Sequence, residues 1–309
     1  MPEHDVVECT KRLKPWIIRT PLVESEALSD IAGSRVYLKL ETFQKTGAFK
    51  FRGAINYLLS LDADKRQKGV VTASSGNHGL GMSLGSKLLG LECKVVMPTS
   101  APVVKQERAR GYGATVVLNG HSYDEAALYA RNLAEKEGCV YVPSFNHPAI
   151  MEGQGTILAE ISEDLPDVEC VIAPIGGGGL LAGLLLARSG LGIRTEIIGV
   201  EPEGAASMNA AMKAGELVTL ESLNTIADGV AVKTAGDLTF DIIQREKPGI
   251  VVIDDDSIRK AQRIMKMEAK VLSEPAGAVS VAGMLKLSQV RKFGNVVCVV
   301  TGANMDEAG

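Results

Sequence analysis

The chain has few aromatic residues, no block of basic residues and no long hydrophobic run. Phenylalanine, tryptophan and tyrosine make up 4% of its 309 residues, so a core must be built mainly from aliphatic side chains and methionine. The formal net charge is −4, which argues against nucleic-acid binding by electrostatics. Residues 180–187, in the most apolar region, are far too few to cross a bilayer. We therefore expect a protein that binds neither nucleic acid nor membrane.

The cysteines form no pattern that is typical of disulfides or of metal sites. They are odd in number and widely spaced, and no C-x-x-C motif occurs among Cys9, Cys93, Cys139, Cys170 and Cys298. Reduced thiols in a cytoplasmic protein are the simplest account of them. The first residues show no hydrophobic signal core either, so the sequence favours a cytoplasmic location.

Short apolar runs rich in β-branched residues alternate with helical patterns along the chain. The predicted strands span residues 36–40, 69–72, 94–97, 115–118, 141–142, 170–175, 196–200, 250–253 and 295–300. The predicted helices span residues 51–59, 80–89, 103–110, 123–137, 154–165, 180–189, 205–214, 237–244, 255–270 and 276–287. This alternation indicates parallel sheets covered by helices on both faces, which bind ligands at the carboxyl ends of strands.

Lys50 lies in the segment T-G-A-F-K-F-R-G-A and is the first candidate for chemistry. A lysine must be neutral to attack an aldehyde, and a free lysine is almost wholly protonated at neutral pH. Burial beside Phe49 and Phe51, together with the nearby cation Arg52, would lower its pKa. The alternative is an ordinary lysine at the start of a helix, with its charge in water.

The segment A-S-S-G-N-H-G at residues 73–79 joins a predicted strand to a predicted helix. Backbone N–H groups at the positive end of a helix form an anion site. Ser74, Ser75, Asn77 and His78 add side-chain donors, which suits a substrate carboxylate. The alternative is a polar connection in which serine or asparagine caps the helix.

Four consecutive glycines, Gly176, Gly177, Gly178 and Gly179, follow another predicted strand. Glycine lets the backbone approach a ligand closely, and successive N–H groups can bind a phosphate. A rival interpretation is a dinucleotide fingerprint, G-x-G-x-x-A, with the acid Glu201 at the end of a later strand. That fingerprint is short, and it leaves the Lys50 and Asn77 motifs unexplained.

Together, the three motifs resemble those of the fold-type II pyridoxal phosphate (PLP) enzymes. Further matching segments follow in the family's order: E-G-Q-G-T at 152–156, G-V-E-P at 199–202, T-I-A-D-G at 225–229, S-E-P-A-G-A at 273–278 and T-G-A-N at 301–304. The resemblance covers nearly the whole chain and is to the threonine/serine dehydratase and serine racemase branch.

This resemblance implies a tryptophan synthase β-like α/β fold, with two open, mostly parallel twisted sheets and helices on both faces. It implies a large PLP-binding domain at residues 1–68 and 147–309 and a small mobile domain at residues 69–146. Closure of the S-S-G-N-H loop over substrate would exclude water. A homodimer or homotetramer is also implied.

The resemblance assigns a role to each matching position. Lys50 would bind PLP as an imine and act as the base at the substrate Cα, and Ser75 is the second catalytic candidate. The positions expected to bind the cofactor are Phe49, Lys50, Asn77, Gly176, Gly177, Gly178, Gly179, Leu180 and Thr301. The positions expected to bind substrate are Ser74, Ser75, Asn77 and His78. A hydroxyl at Thr301, facing the pyridine nitrogen, suits elimination of a β-hydroxyl group more than transamination.

Two departures from the family pattern affect these expectations. Ala48 replaces a serine that is common before the Phe-Lys pair. In the family's divalent-metal site, Glu201 and the backbone of Ala205 match two ligands, but Ser207 stands where an aspartate is usual. Because Mg²⁺ favours anionic oxygen ligands, we expect a weak or lost metal site. Glu201 would then be a strand-end carboxylate in solvent or in an ion pair.

These observations predict a PLP-dependent ammonia-lyase that acts on a β-hydroxy amino acid, L-threonine or L-serine. One alternative is an amino-acid racemase with dehydratase side activity, in which Ser75 donates a proton from the opposite face. Others are a dehydratase for 3-hydroxyaspartate or phenylserine, a dinucleotide-dependent oxidoreductase and a non-catalytic amino-acid sensor. Phe145, Asn146 and Ala227 are candidates for the wall that contacts the substrate side chain.

Overall fold

The computed structural model describes residues 5–305 and divides the chain into two compact units. The first unit contains the chain up to Phe49 and from Phe145 onward, and the second unit is Lys50–Ser144. The small domain predicted from the sequence spans residues 69–146 and does not include the helix that begins at Lys50. The mobility of that domain stays a prediction.

Helices occupy much of both units and follow this order along the chain. They are α1 (Val6–Leu13), α2 (Glu26–Ala32), α3 (Lys50–Ser60), α4 (Ala63–Gln67), α5 (Asn77–Leu89), α6 (Val103–Gly111), α7 (Tyr123–Glu137), α8 (Pro148–Asp164), α9 (Gly179–Leu191), α10 (Ser207–Ala214), α11 (Asp237–Glu246), α12 (Asp255–Met267) and α13 (Pro275–Leu287). None of the helices within residues 5–305 combines the length and hydropathy that a membrane crossing needs.

The strands are shorter and alternate with these helices. They are β1 (Leu22–Glu24), β2 (Arg35–Leu40), β3 (Val70–Ala73), β4 (Cys93–Met97), β5 (Thr115–Leu118), β6 (Val140–Tyr141), β7 (Cys170–Pro174), β8 (Glu196–Pro202), β9 (Gly249–Ile253) and β10 (Asn295–Val300).

The first unit contains a six-stranded sheet in the order β1-β2-β10-β7-β8-β9. Its strands are parallel except for the antiparallel pair β1 and β2. Strands β7 and β10 are buried at every position because hydrophobic clusters cover both faces of the sheet. One cluster includes side chains of α8, α9 and α11, and the other includes side chains of α12 and α13. The turns that follow β7 and β10 therefore lie at the same edge of this sheet.

The second unit contains a four-stranded parallel sheet in the order β5-β4-β3-β6. Its inner strand β3 is fully buried, and alanines of α7 pack against Val71 and Ala73. The chain leaves β3 at Ala73 and enters α5 at Asn77, which places the S-S-G-N-H loop at the carboxyl end of an inner strand. The two sheets confirm the predicted α/β class with mostly parallel strands.

Candidate active site

Lys50 is the first residue of α3 and has a half-buried side chain. Its Nζ donates a hydrogen bond to the carbonyl oxygen of Ser144 at 3.2 Å. Burial lowers the pKa of Lys50 to about 8. Burial is the cause of this shift, and a contribution from the Arg52 cation stays a prediction. A lysine with this pKa is neutral far more often near pH 7 than one in water, as attack on an aldehyde requires.

The S-S-G-N-H loop of the second unit leads into α5 without a side-chain cap at Gly76. The Ser74 hydroxyl oxygen accepts a hydrogen bond from the nearby Gly76 N–H at 3.2 Å. The half-buried Ser75 makes no side-chain hydrogen bond to any other residue in the described part of the chain. An uncapped helix start beside a free hydroxyl can bind an anion such as a carboxylate.

His78 is only 3% exposed, and neither of its ring nitrogens has a hydrogen-bond partner among residues 5–305. Burial, with the charge of Lys50 as a second cause, lowers the pKa of His78 to about 3. The Val142 carbonyl lies near the ring but outside hydrogen-bonding geometry. The imidazole is therefore neutral at physiological pH and offers one N–H donor but no positive charge.

The glycine loop of the first unit, residues 176–179, connects β7 to α9. Gly178 has φ +91°, in the left-handed region that favours glycine. A Cβ atom on Gly177 would lie 2.4 Å from the Phe145 ring, so that position also requires glycine. Within residues 5–305, no acceptor binds the backbone N–H groups from Gly176 to Leu180. These donors, at the start of a helix, fit a phosphate group.

Thr239, in the first turn of α11, orders this loop and was missed by the sequence analysis. Its hydroxyl lies 2.7 Å from the Gly177 carbonyl oxygen and 3.0 Å from the Gly236 carbonyl oxygen, and the shorter distance favours a hydrogen bond to Gly177. The Gly236 N–H also donates to the same carbonyl, at 3.3 Å. The sequence signal for Thr239 is weak: it is a polar residue among the buried positions of an otherwise apolar helix face.

The three residues suggested for the substrate wall have different surroundings in the structure. The Phe145 ring packs on Gly177, whereas Asn146 caps α11 by accepting a hydrogen bond from the Leu238 N–H at 3.1 Å. Asn146 also donates to the Asp237 carboxylate at 2.5 Å. Ala227 is fully buried in the hydrophobic cluster that contains α12 and α13. Phe145 and Asn146 therefore support the glycine loop and its neighbouring helix.

Thr301 directly follows β10 and is almost fully buried. Its hydroxyl donates a hydrogen bond to the Ala276 carbonyl at 3.3 Å, and its own carbonyl accepts one from the Phe49 N–H at 3.0 Å. Ala48 forms an isolated antiparallel β-bridge with Gly302, the residue after Thr301. The segment before Lys50 is thus fixed to the end of β10, and the Thr301 oxygen keeps lone pairs for a ligand.

Glu201 is fully buried, so the expectation of a carboxylate in solvent or in an ion pair is wrong. Its two oxygens accept hydrogen bonds from the N–H groups of Met208 at 2.9 Å and Asn209 at 2.8 Å, at the start of α10. Burial raises the pKa of Glu201 to about 7. Because these hydrogen bonds hold the Glu201 carboxylate against the start of α10, it is not the free acid that the dinucleotide interpretation required.

The residues around Glu201 do not fit a divalent cation. Each carboxylate oxygen already accepts a hydrogen bond from a backbone N–H, and Ser207 supplies a buried, neutral hydroxyl in place of a second carboxylate. Across residues 5–305, no group of three His, Cys, Asp or Glu side chains could hold a metal ion.

Comparisons with known proteins agree with these features. The family model described as "Pyridoxal-phosphate dependent enzyme" matches residues 13–302. The L-threonine ammonia-lyase of Thermotoga maritima is 42% identical over 303 residues, which cover 98% of this chain and 75% of that protein. The biosynthetic chloroplastic threonine dehydratase 2 of Solanum lycopersicum is 41% identical over 94% of this chain, which spans about half (49%) of that relative's length.

A solved structure of maize serine racemase has a TM-score of 0.95 and 34% identity. The match covers 99% of this chain and 94% of the maize chain. At this similarity, the arrangement of strands and helices described above is shared over nearly the full length of both chains.

Proposed function

This chain belongs to the pyridoxal-phosphate-dependent enzyme family, and on that premise we propose that it is an ammonia-lyase for a β-hydroxy amino acid. L-Threonine and L-serine are the proposed substrates, and a 2-oxo acid and ammonia are the products of α,β-elimination. The similarity to a threonine ammonia-lyase over 98% of the chain supports the reaction class. Lys50, with its pKa lowered to about 8, is the single observation in the structure that supports it most directly.

Bound PLP supplies the electron sink that makes the Cα proton of an amino acid removable. On this proposal, Lys50 would hold the cofactor through its aldehyde group, and the Lys50 Nζ would be the base that takes the Cα proton of the substrate. A base with a pKa near the working pH suits this task. Gly176, Gly177, Gly178, Gly179 and Leu180 donate hydrogen bonds to the cofactor phosphate.

The other proposed roles are those that the family resemblance assigns to matching positions. Asn77 would hydrogen-bond the 3′-oxygen of the cofactor, and the Thr301 hydroxyl would lie at its pyridine nitrogen. A hydroxyl there does not force the ring to stay protonated as a carboxylate does, which favours β-elimination. The uncapped start of α5, with Ser74 and Ser75, binds the substrate carboxylate.

A second candidate is amino-acid racemisation alongside elimination. Its support is the Ser75 hydroxyl, which has no hydrogen-bond partner in the part of the chain that the structure describes. A free hydroxyl can return a proton to Cα on the face opposite Lys50, which would invert the configuration. The solved structure of maize serine racemase, 34% identical, is consistent with this chemistry on the same fold.

The direct test is to add L-threonine and L-serine in turn to the purified holoenzyme and to measure 2-oxo acid and ammonia. We expect equal amounts of the two products from at least one substrate, and none from the Lys50→Ala variant. A bound cofactor with no product from either amino acid would reject these substrates and favour 3-hydroxyaspartate or phenylserine. Light scattering on the same sample tests the proposed homodimer or homotetramer, and fractionation of the source cells tests the proposed cytoplasmic location.

A further inference from the structure

The glycine loop is held by one side chain from a distant part of the sequence. Thr239 is fully buried, and its one hydroxyl proton has two carbonyl acceptors in reach, Gly177 at 2.7 Å and Gly236 at 3.0 Å. The shorter distance favours the bond to Gly177. The two residues are 62 positions apart, and both belong to the first unit. A Cβ atom on Gly178 would lie 2.7 Å from the Thr239 hydroxyl oxygen, so the loop and α11 are in close contact.

This hydrogen bond also fixes the direction of a donor. The peptide group between Gly177 and Gly178 is planar and trans, so its C=O and N–H point in opposite directions. With the Gly177 carbonyl fixed toward Thr239, the Gly178 N–H must point away from Thr239. That N–H has no acceptor within residues 5–305.

Four glycines in sequence would otherwise leave this peptide free to rotate. Glycine has the largest backbone freedom of any residue, and ordering it on ligand binding weakens affinity. The Gly236 N–H is the second restraint on the Gly177 carbonyl, and its distance of 3.3 Å makes it the weaker one. The short bond from Thr239 is therefore the main restraint on the direction of the Gly178 N–H.

The position of Thr239 is itself fixed by the start of α11. Asn146 accepts a hydrogen bond from the Leu238 N–H and donates one to Asp237, the two residues that precede Thr239. Phe145, adjacent to Asn146, packs on Gly177. Three contacts thus join the loop to the start of α11. Two are the hydrogen bonds of the Thr239 hydroxyl and the Gly236 N–H to the Gly177 carbonyl, and the third is the Phe145–Asn146 pair.

We infer that Thr239 is a positioning residue for the cofactor phosphate, because its hydroxyl holds the Gly177–Gly178 peptide with the Gly178 N–H directed toward the phosphate. The inference rests on the proposed function, in which the glycine loop binds the phosphate of PLP. On this inference Thr239 acts through the loop, by way of the Gly177 carbonyl.

The test compares cofactor binding by the wild-type apoprotein with binding by Thr239→Val, which removes the hydroxyl and keeps a similar shape. Affinity for PLP and for pyridoxal, which lacks the phosphate, is measured by absorbance titration. We expect Thr239→Val to weaken PLP binding by about tenfold, the effect of one lost hydrogen bond, and to leave pyridoxal binding unchanged. Thr239→Ser, which keeps the hydroxyl, should bind PLP like the wild type.

Thr195→Val is a matched control, because Thr195 is also buried in the first unit and donates to a backbone carbonyl, that of Val168 at 3.2 Å. It should lower the melting temperature without changing PLP affinity. If Thr239→Val does not fold, Thr239→Ala takes its place in the same titrations. Equal losses of PLP and pyridoxal affinity, or an unchanged PLP affinity in a folded variant, would overturn the inference.

The outcome for the wild type separates this inference from the proposed function. Wild-type protein that binds PLP and forms 2-oxo acid, together with a Thr239→Val variant that binds PLP equally well, rejects the role of Thr239 alone. Wild-type protein that does not bind PLP rejects the proposed function and this inference with it.

Discussion

The amine of Lys50 donates to a neutral partner, the carbonyl oxygen of Ser144, at 3.2 Å. Burial lowers the pKa of Lys50 from 10.5 to about 8. Between these two pH values the unfolded chain binds more protons than the folded chain, so the stability of the apoprotein rises with pH. Below about pH 8 both states are protonated, and the full cost of burial, on the order of 3 kcal/mol, opposes folding.

We therefore predict that Lys50→Met stabilises the apoprotein at pH 7. The gain should shrink as the pH rises from 8 to 10.5, because the wild-type lysine then loses its charge. Urea unfolding of the two apoproteins across this pH range measures the difference. Lys68→Met, at an exposed position in the same unit, is the control and should show no such trend. A Lys50→Met apoprotein less stable than wild type at pH 7 would contradict the assigned pKa.

The buried ion pair of Lys39 and Glu160 gives a second prediction. Their N–O distance is 2.6 Å, and Lys39 also donates to the Thr20 carbonyl at 2.7 Å. Lys39→Met leaves a buried carboxylate without its cation, which should destabilise the holoenzyme by roughly 3–5 kcal/mol. The double variant Lys39→Met/Glu160→Leu should recover most of that loss in urea unfolding. Equal instability of the single and double variants would show that this pairing is not the cause.

Ser75 separates the two candidate activities. If the chain is also a racemase, the wild type forms D-serine from L-serine, and Ser75→Ala loses this activity while 2-oxo acid formation persists. Ser75→Thr keeps a hydroxyl and is the matched control. Chiral chromatography of the amino acid, beside a 2-oxo acid assay, measures both reactions. Absence of D-serine from the wild-type reaction would reject the racemase alternative.

The hydrogen bonds of Glu201 predict activity that does not depend on divalent cations. Treatment with a chelator should leave 2-oxo acid formation unchanged, and added Mg²⁺ or Ca²⁺ should not raise the melting temperature. Glu201→Gln places an N–H₂ group against the backbone donor of Met208 or Asn209 and should destabilise the protein by about 1–3 kcal/mol. If Mg²⁺ raised the melting temperature of the wild type but not that of Glu201→Gln, a metal site that uses Glu201 would be established.

Much of the fold could be predicted because the signals are local. Strand β10 and helix α7 have the predicted bounds, since β-branched runs and helical periodicity lie within single segments. Helix α8 begins at Pro148 instead of at residue 154, because its glycines weaken the helical pattern. Gly155 is needed there: a Cβ atom would lie 2.7 Å from the Gly183 carbonyl of α9. Such a contact is invisible in one segment of sequence.

Other elements lacked a usable signal. Strand β1 has three residues and no buried position, and no periodic pattern marked it. Helices α1 and α2 bury only a few residues each and were also missed. These short elements form through contacts with the rest of the first unit, which the sequence pattern does not reveal.

The candidate site shows the same division. Lys50 and the glycine run stand in compact motifs that could be read directly from the sequence. The partner of Gly177 is Thr239, and the partners of Glu201 are backbone groups of the following helix. Both pairs depend on how strands and helices pack, so sequence motifs alone do not predict either of them. The burial of Glu201 was predicted wrongly for this reason.

The most direct test of the account is to locate the cofactor on the chain. The holoenzyme is reduced with borohydride, which makes the bond between lysine and PLP permanent, and is then digested and sequenced by mass spectrometry. We predict a pyridoxyl phosphate group on Lys50 and the loss of the visible cofactor band on reduction. A labelled lysine elsewhere, or no labelled lysine in protein saturated with PLP, would contradict the central claim.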